Sequence, residues 1–135
     1  SSFITTLPDT WGIGEKFLML PVNKWNNEYQ RVVLGGITCD GHDYYDSEEH
    51  INEVFLPKIK NTNGDEESNK EPLYVGFFHT GAYQDQISGY GGIKHCLIPS
   101  PKHVIVGYDK NGKLVDWVYA KEQTAQSMLK ILGYK

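Results

Sequence analysis

Only two cysteines, Cys39 and Cys96, occur in 135 residues. That is too few for the disulfide framework that holds small secreted domains together. They read as free thiols in a reducing compartment, and the chain as cytoplasmic. Arginine is scarcer: Arg31 is the single one among thirteen basic residues. With a net charge of −4 and no basic cluster, nucleic acid is excluded as a partner, and anionic membrane surfaces with it. Apolar runs stop at five or six residues, far below the ~20 that span a bilayer. There is no signal-peptide pattern and no Asn-x-Ser/Thr site. No C-x-x-C or H-x-x-x-H spacing occurs, which sets a zinc site aside, and no nucleophile-elbow signature supports a Ser-His-Asp triad. Opening on Ser1-Ser2 without a Met, the chain reads as a trimmed piece.

What is present is an ordinary globular composition, 39% hydrophobic, long enough for one domain with a core of its own. Aromatics reach 13%, with nine Tyr, and there are 14 Gly. Both lean toward an all-β domain with tight turns. Strands are expected over 16–22, 31–38, 50–56 and 73–79, with Gly35-Gly36 marking a bulge or a close backbone approach. Residues 61–71, NTNGDEESNKE, hold no large apolar side chain, which predicts a mobile surface loop. The strands 102–108 and 113–119 flank Asp109-Lys110-Asn111-Gly112. There Asn-Gly supplies the positive φ angles of a tight hairpin. A last helix is expected from a Thr124 cap to Gly133, with Ala125, Met128, Leu129 and Leu132 on one face. The expected fold is a Greek-key-like β-barrel or sandwich, residues 1–135, with one short C-terminal helix.

Two stretches could carry chemistry. In LGGITCDGHDYY, residues 34–45, a thiol stands beside Asp40, His42 and Asp43. Neighbouring carboxylates disfavour the thiolate, so Cys39 suits a proton donor, or a packed thiol, better than a metal ligand or a hot nucleophile. Asp40 and Asp43 could bind a cation or cap turn N–H groups, capping being the default for aspartates on a turn, and His42 reads as an exposed turn residue. In FFHTGAYQDQISGYGGIKHC, residues 77–96, a buried strand would break at Gly81 and offer the Tyr83 hydroxyl at a rim, where a phenol can hydrogen-bond a phosphate. The alternative is a Tyr packed in a β-core. Cys96 reads as a core residue.

The two stretches together resemble one family. Gly-Ile-Thr-Cys-Asp-Gly-His-Asp at 36–43 resembles the G-x-x-C-[DE]-x-x-D motif of the ornithine, arginine and diaminopimelate decarboxylases. Thr-Gly-Ala-Tyr at 80–83 resembles their downstream Gly-Ala-Tyr. Leu56-Pro57 matches a frequent family dipeptide, and the ending EQTAQSMLKILGYK is similar to the tail of some biosynthetic arginine decarboxylases.

The resemblance implies the C-terminal β-domain of a fold-type III enzyme using pyridoxal 5'-phosphate. Its partners would be its own N-terminal barrel domain, which carries the cofactor lysine outside this chain, and a second subunit in a homodimer. It further implies that Cys39 reprotonates the substrate carbon, Asp40 meets the substrate's distal cation, and Asp43 salt-bridges to the partner subunit and holds the dimer. Tyr83 and Gly81 would bind the cofactor, Tyr83 by hydrogen-bonding its phosphate. Asp rather than Glu at position 40 points toward arginine, lysine, ornithine or carboxynorspermidine, hence amino-acid or polyamine metabolism. Alone, the chain would be inactive. A stand-alone β-sandwich module binding a carbohydrate or peptide is the competing expectation. A racemase of the same fold type is a third, disfavoured because its acid is usually a tyrosine.

Overall fold

The computed structural model describes residues 2–14, 18–45, 54–61, 66–89, 91–92 and 95–135. It opens with two single-turn helices, α1 (Phe3–Thr6) and α2 (Asp9–Gly12). Ser2 caps α1, its hydroxyl accepting the Thr5 N–H at 3.3 Å. Six short strands follow: β1 (Met19–Pro21), β2 (Tyr29–Val32), β3 (Leu34–Gly35), β4 (Tyr44–Tyr45), β5 (Val54–Pro57) and β6 (Val75–Phe77). A helix α3 (Glu66–Lys70) precedes β6 and a helix α4 (Gln84–Ser88) follows it. A 3₁₀ turn over His95–Leu97 leads to β7 (His103–Tyr108), β8 (Leu114–Ala120) and the last helix α5 (Ala125–Ile131).

The pairing of the first six strands is nested. β1 pairs with β6, β2 with β5 and β3 with β4, all antiparallel. Backbone bonds from Val22 to Tyr74 and from Lys58 to Glu28 prolong the ladders. The result is a nested ribbon of three two-stranded ladders, with Gly36–Asp43 at its tip. Its buried side is small: Leu7, Tyr45, Val54 and Leu56 form the core, with Phe3, Val75 and Phe77 packed against it. Phe3, Tyr45 and Phe77 meet edge-on or tilted at 5.1–6.0 Å between ring centroids, as aromatic quadrupoles prefer.

The expected architecture holds in its coarse form only. Among the described residues every sheet has two strands and none closes, so the arrangement is sandwich-like and not a barrel. Helices also occur where none was expected, at α1, α2, α3 and α4. The first two follow from Ser2 and Pro8-Asp9, ordinary helix-start residues. The third covers 66–70 of the expected 61–71 loop, of which 62–65 lie outside the described residues. Parts of two expected strands, 16–17 and 50–53, also lie outside them. The 31–38 strand is interrupted at Val33 and ends at Gly35.

The hairpin β7–β8 is paired as expected, from His103↔Ala120 to Tyr108↔Leu114. Its turn is looser than a two-residue loop. Gly112 alone takes a positive φ, 76°, and the Asp109 carboxylate accepts the N–H groups of Asn111 and Lys113 at 2.8 and 2.9 Å. Helix α5 has its Thr124 cap, which accepts from Ser127 at 3.2 Å. It ends in a Schellman motif, with Tyr134 donating to the Leu129 carbonyl and Gly133 to that of Lys130. Of its expected apolar face only Met128 is buried. No helix among the described residues is long and apolar enough to cross a membrane.

Candidate active site

The ribbon tip is built around Asp43, which is only 5% exposed. One carboxylate oxygen accepts from the N–H groups of Phe3 (2.6 Å) and Ile4 (3.2 Å) and from the Ser2 hydroxyl (3.2 Å). The other accepts from the Thr38 N–H (3.1 Å) and hydroxyl (2.6 Å). Burial pushes the Asp43 carboxyl up, but the hydrogen bonds from Thr38, Ile4 and Phe3 outweigh it and hold its pKa below the ordinary carboxylate range. Asp43 thus ties the tip to the start of α1, and both aspartates of the turn cap N–H groups.

Gly36 makes this seating possible. A Cβ on Gly36 would overlap the Asp43 carboxyl, so the close approach expected at the Gly pair is real. Gly36→Ala should cost about 1–3 kcal/mol, as overpacking does, read as a lowered denaturant midpoint. An unchanged midpoint would show that the carboxyl can seat elsewhere.

Asp40 is about one-third exposed and accepts the His42 N–H at 2.8 Å, with the His42 ring 3.4 Å away. It lines a depression of about 380 Å³ with Phe3, Ile4, Trp11, His42 and Tyr44. Trp11 is fixed by a 2.8 Å bond from its indole N–H to the Ile4 carbonyl. A carboxylate beside an indole suits a planar cation. Trp11 escaped the sequence reading because its place beside Asp40 depends on α1 and α2 folding onto the tip.

Cys39 is exposed, and its sulfur lies 3.6 Å from that of Cys96. Cys96 is therefore not a core residue. It sits exposed in the 3₁₀ turn, at a kink where Cys96 and Leu97 take φ of 54° and 52°. The hydrogen bond with Cys96 is the main cause that raises the Cys39 pKa, with Asp40 a minor one. The upward direction matches the sequence expectation, but its chief cause is the second cysteine and not the aspartates.

The Gly-Ala-Tyr segment is held by a residue that sequence reasoning missed. Asp9, 2% exposed, accepts the N–H groups of Gly81 (3.2 Å) and Ala82 (3.1 Å). Pro8-Asp9 announces a helix start, but nothing local announces a contact 72 residues away. The segment is strained: His79 and Tyr83 both have φ of 61° and Gly81 has 130°, a pattern concentrated at functional sites. Tyr83 is 58% exposed. The buried strand expected over 77–83 does not form: β6 ends at Phe77 and is only half-buried. Beside this loop a depression of about 500 Å³ is lined by Phe3, Phe77, Thr80, Gly81 and His103, among others. Tyr90 lies outside the described residues.

One N-terminal corner, residues 2–12, thus grips both motifs, Asp43 reaching into it and Asp9 reaching out of it. No family model matches the chain. Curated relatives do. Biosynthetic arginine decarboxylase of Marinobacter nauticus is 34% identical over 137 residues, covering 98% of the chain and 19% of that protein. The enzyme of the same name from Vibrio vulnificus is 34% identical over 122 residues, with 87% and 17% covered. That of Deinococcus radiodurans is 29% identical over 135 residues, with 99% and 19% covered. The chain belongs to this decarboxylase family and spans about a fifth of the length of the relatives it matches.

Proposed function

We propose that residues 1–135 form the C-terminal β-domain of a cytoplasmic pyridoxal-phosphate-dependent decarboxylase, part of a homodimer, acting on a basic amino acid. Arginine is the favoured substrate, since the relatives above are named for it. The observation that carries this reading is the shared N-terminal clamp. It presents Cys39 and Asp40 on one motif and Tyr83 on the other, in the family's order.

The chain also exposes 9832 Å², against about 7,100 Å² for a compact monomer of its size. Val106, Tyr108 and Tyr119 of the β7–β8 hairpin are 60–76% exposed, as suits a domain that docks on the remainder of a larger protein.

The residues present fit the cofactor in one respect and limit it in another. The Tyr83 hydroxyl can donate to a phosphate. The Gly81 and Ala82 N–H groups are already given to Asp9, so the part of Gly81 is to shape the loop. Pyridoxal phosphate, when bound, supplies the electron sink for loss of CO₂. The chain's own share is to hold and orient. Cys39 keeps a proton at Sγ for return to the substrate carbon. Asp40, with Trp11, receives the distal guanidinium or ammonium. Asp43 fixes the turn that meets the other subunit.

In the full-length protein, arginine should give agmatine and CO₂ faster than ornithine or lysine does, and no turnover of any basic amino acid would refute the reading. Tyr83→Phe should weaken cofactor retention about tenfold, the worth of one hydrogen bond to a charged group, measured by cofactor titration of apoenzyme. Unchanged retention would remove Tyr83 from the phosphate site.

A further inference from the structure

We propose that Cys39 and Cys96 form a dithiol modification site, which peroxide-class oxidants close to an intramolecular disulfide. The observation is the 3.6 Å separation of two exposed sulfurs from residues 57 apart in sequence. A disulfide needs its sulfurs at ~2 Å, so closing it asks two exposed sulfurs that are already neighbours to draw nearer. The kink at Cys96 adds to this. Two consecutive non-glycine residues in the left-handed region are costly, and it is at that kink that the second thiol meets the first.

The chemistry balances with hydrogen peroxide as oxidant. The deprotonated form of one thiol attacks a peroxide oxygen, breaking the O–O bond and giving a sulfenic acid and water. The second thiol then attacks the sulfenic sulfur, forming the S–S bond and releasing a second water. Two thiol hydrogens and two electrons leave the protein and reduce one peroxide. Either sulfur can be the one that attacks first, since each lies exposed beside the other. Reduction by an external thiol reverses it.

The regulatory consequence rests on the proposed function: a disulfide would take away the Cys39 proton and tether the ribbon tip, so the oxidised enzyme is inactive. Before oxidation, the same pair should chelate a trivalent arsenical, which needs two thiols within reach of one arsenic.

The test compares the full-length protein with the Cys96→Ser variant, each measured against its own activity before oxidation; Cys96→Ala serves if Ser folds poorly. Phenylarsine oxide should bind the reduced wild type at this site, and the variant should lose that binding. After peroxide, peptide mapping of the wild type should show a linked Cys39–Cys96 peptide two hydrogens lighter. Activity should fall at least about tenfold, by loss of an acid catalyst, and return with dithiothreitol. In the variant, peroxide inactivation should no longer be reversed by dithiothreitol, because Cys39 proceeds to the sulfinic acid. Wild-type Cys39 recovered as sulfinic acid with no linked peptide would overturn the proposal. A linked peptide with full turnover would leave the dithiol site standing and refute the role of Cys39 in catalysis.

Discussion

Cys39→Ala in the full-length protein should lower kcat on arginine by roughly a hundredfold or more, the range a positioned acid contributes, while the cofactor absorbance stays intact. KM should move little, because the thiol acts on the reacting carbon and not on the substrate's distal group. Turnovers that do occur should end more often in a product other than agmatine, since the carbon awaiting its proton then has no assigned donor. The role asks for an accessible, protonated thiol: Cys39 is exposed, and an ordinary thiol is protonated at neutral pH. Product ratios and single-turnover rates check it. Unchanged rate and unchanged products would remove Cys39 from the reaction.

Asp43→Ala should have the largest effect on stability of any substitution in the turn. It strands the N–H groups of Phe3, Ile4 and Thr38, two hydroxyls losing a partner as well. Buried donors left unsatisfied cost about 1–3 kcal/mol each, so about 3 kcal/mol or more is expected. The turn that Asp43 shapes should then meet the other subunit poorly, and the dimer should dissociate at higher concentration in sedimentation runs.

The pH dependence has a definite sign. The folded-state pKa of Asp43 lies below the unfolded value, so the folded state binds fewer protons as acid is added. Its contribution is therefore fully present above the unfolded carboxyl value of about 3.9. It is lost as pH falls through the lower, folded-state value. Asp43→Asn should flatten the acid limb of the midpoint-against-pH curve. An acid limb identical to wild type would mean that other carboxylates carry it.

The site was legible where chemistry is local. Two Asp on a glycine-bearing turn announce capped N–H groups, and these are present. The hairpin and the capped terminal helix were legible for the same reason, since Gly112, Thr124 and Gly133 act within a few residues of themselves. The remainder depends on contacts that no window along the chain contains. Asp9 and Gly81 meet across 72 residues, and the two cysteines across 57. Trp11 joins Asp40 only once the N-terminal corner folds. Cys96 was assigned to the core because free cysteines are usually buried, a tendency that a strained turn overrides. Helix α4, QDQIS, is too short and too polar to show a period, and it forms where the left-handed Tyr83 turns the chain. The barrel expectation failed because strand alternation reports which side is apolar and not which strands become neighbours.

The most direct test of the central claim is the absorption spectrum of the full-length native protein, before and after borohydride. The account predicts a near-visible band that collapses on reduction, as a lysine-held pyridoxal phosphate requires, with cofactor and polypeptide then inseparable by denaturation. A colourless protein with no reducible chromophore, even after incubation with pyridoxal phosphate, would contradict it.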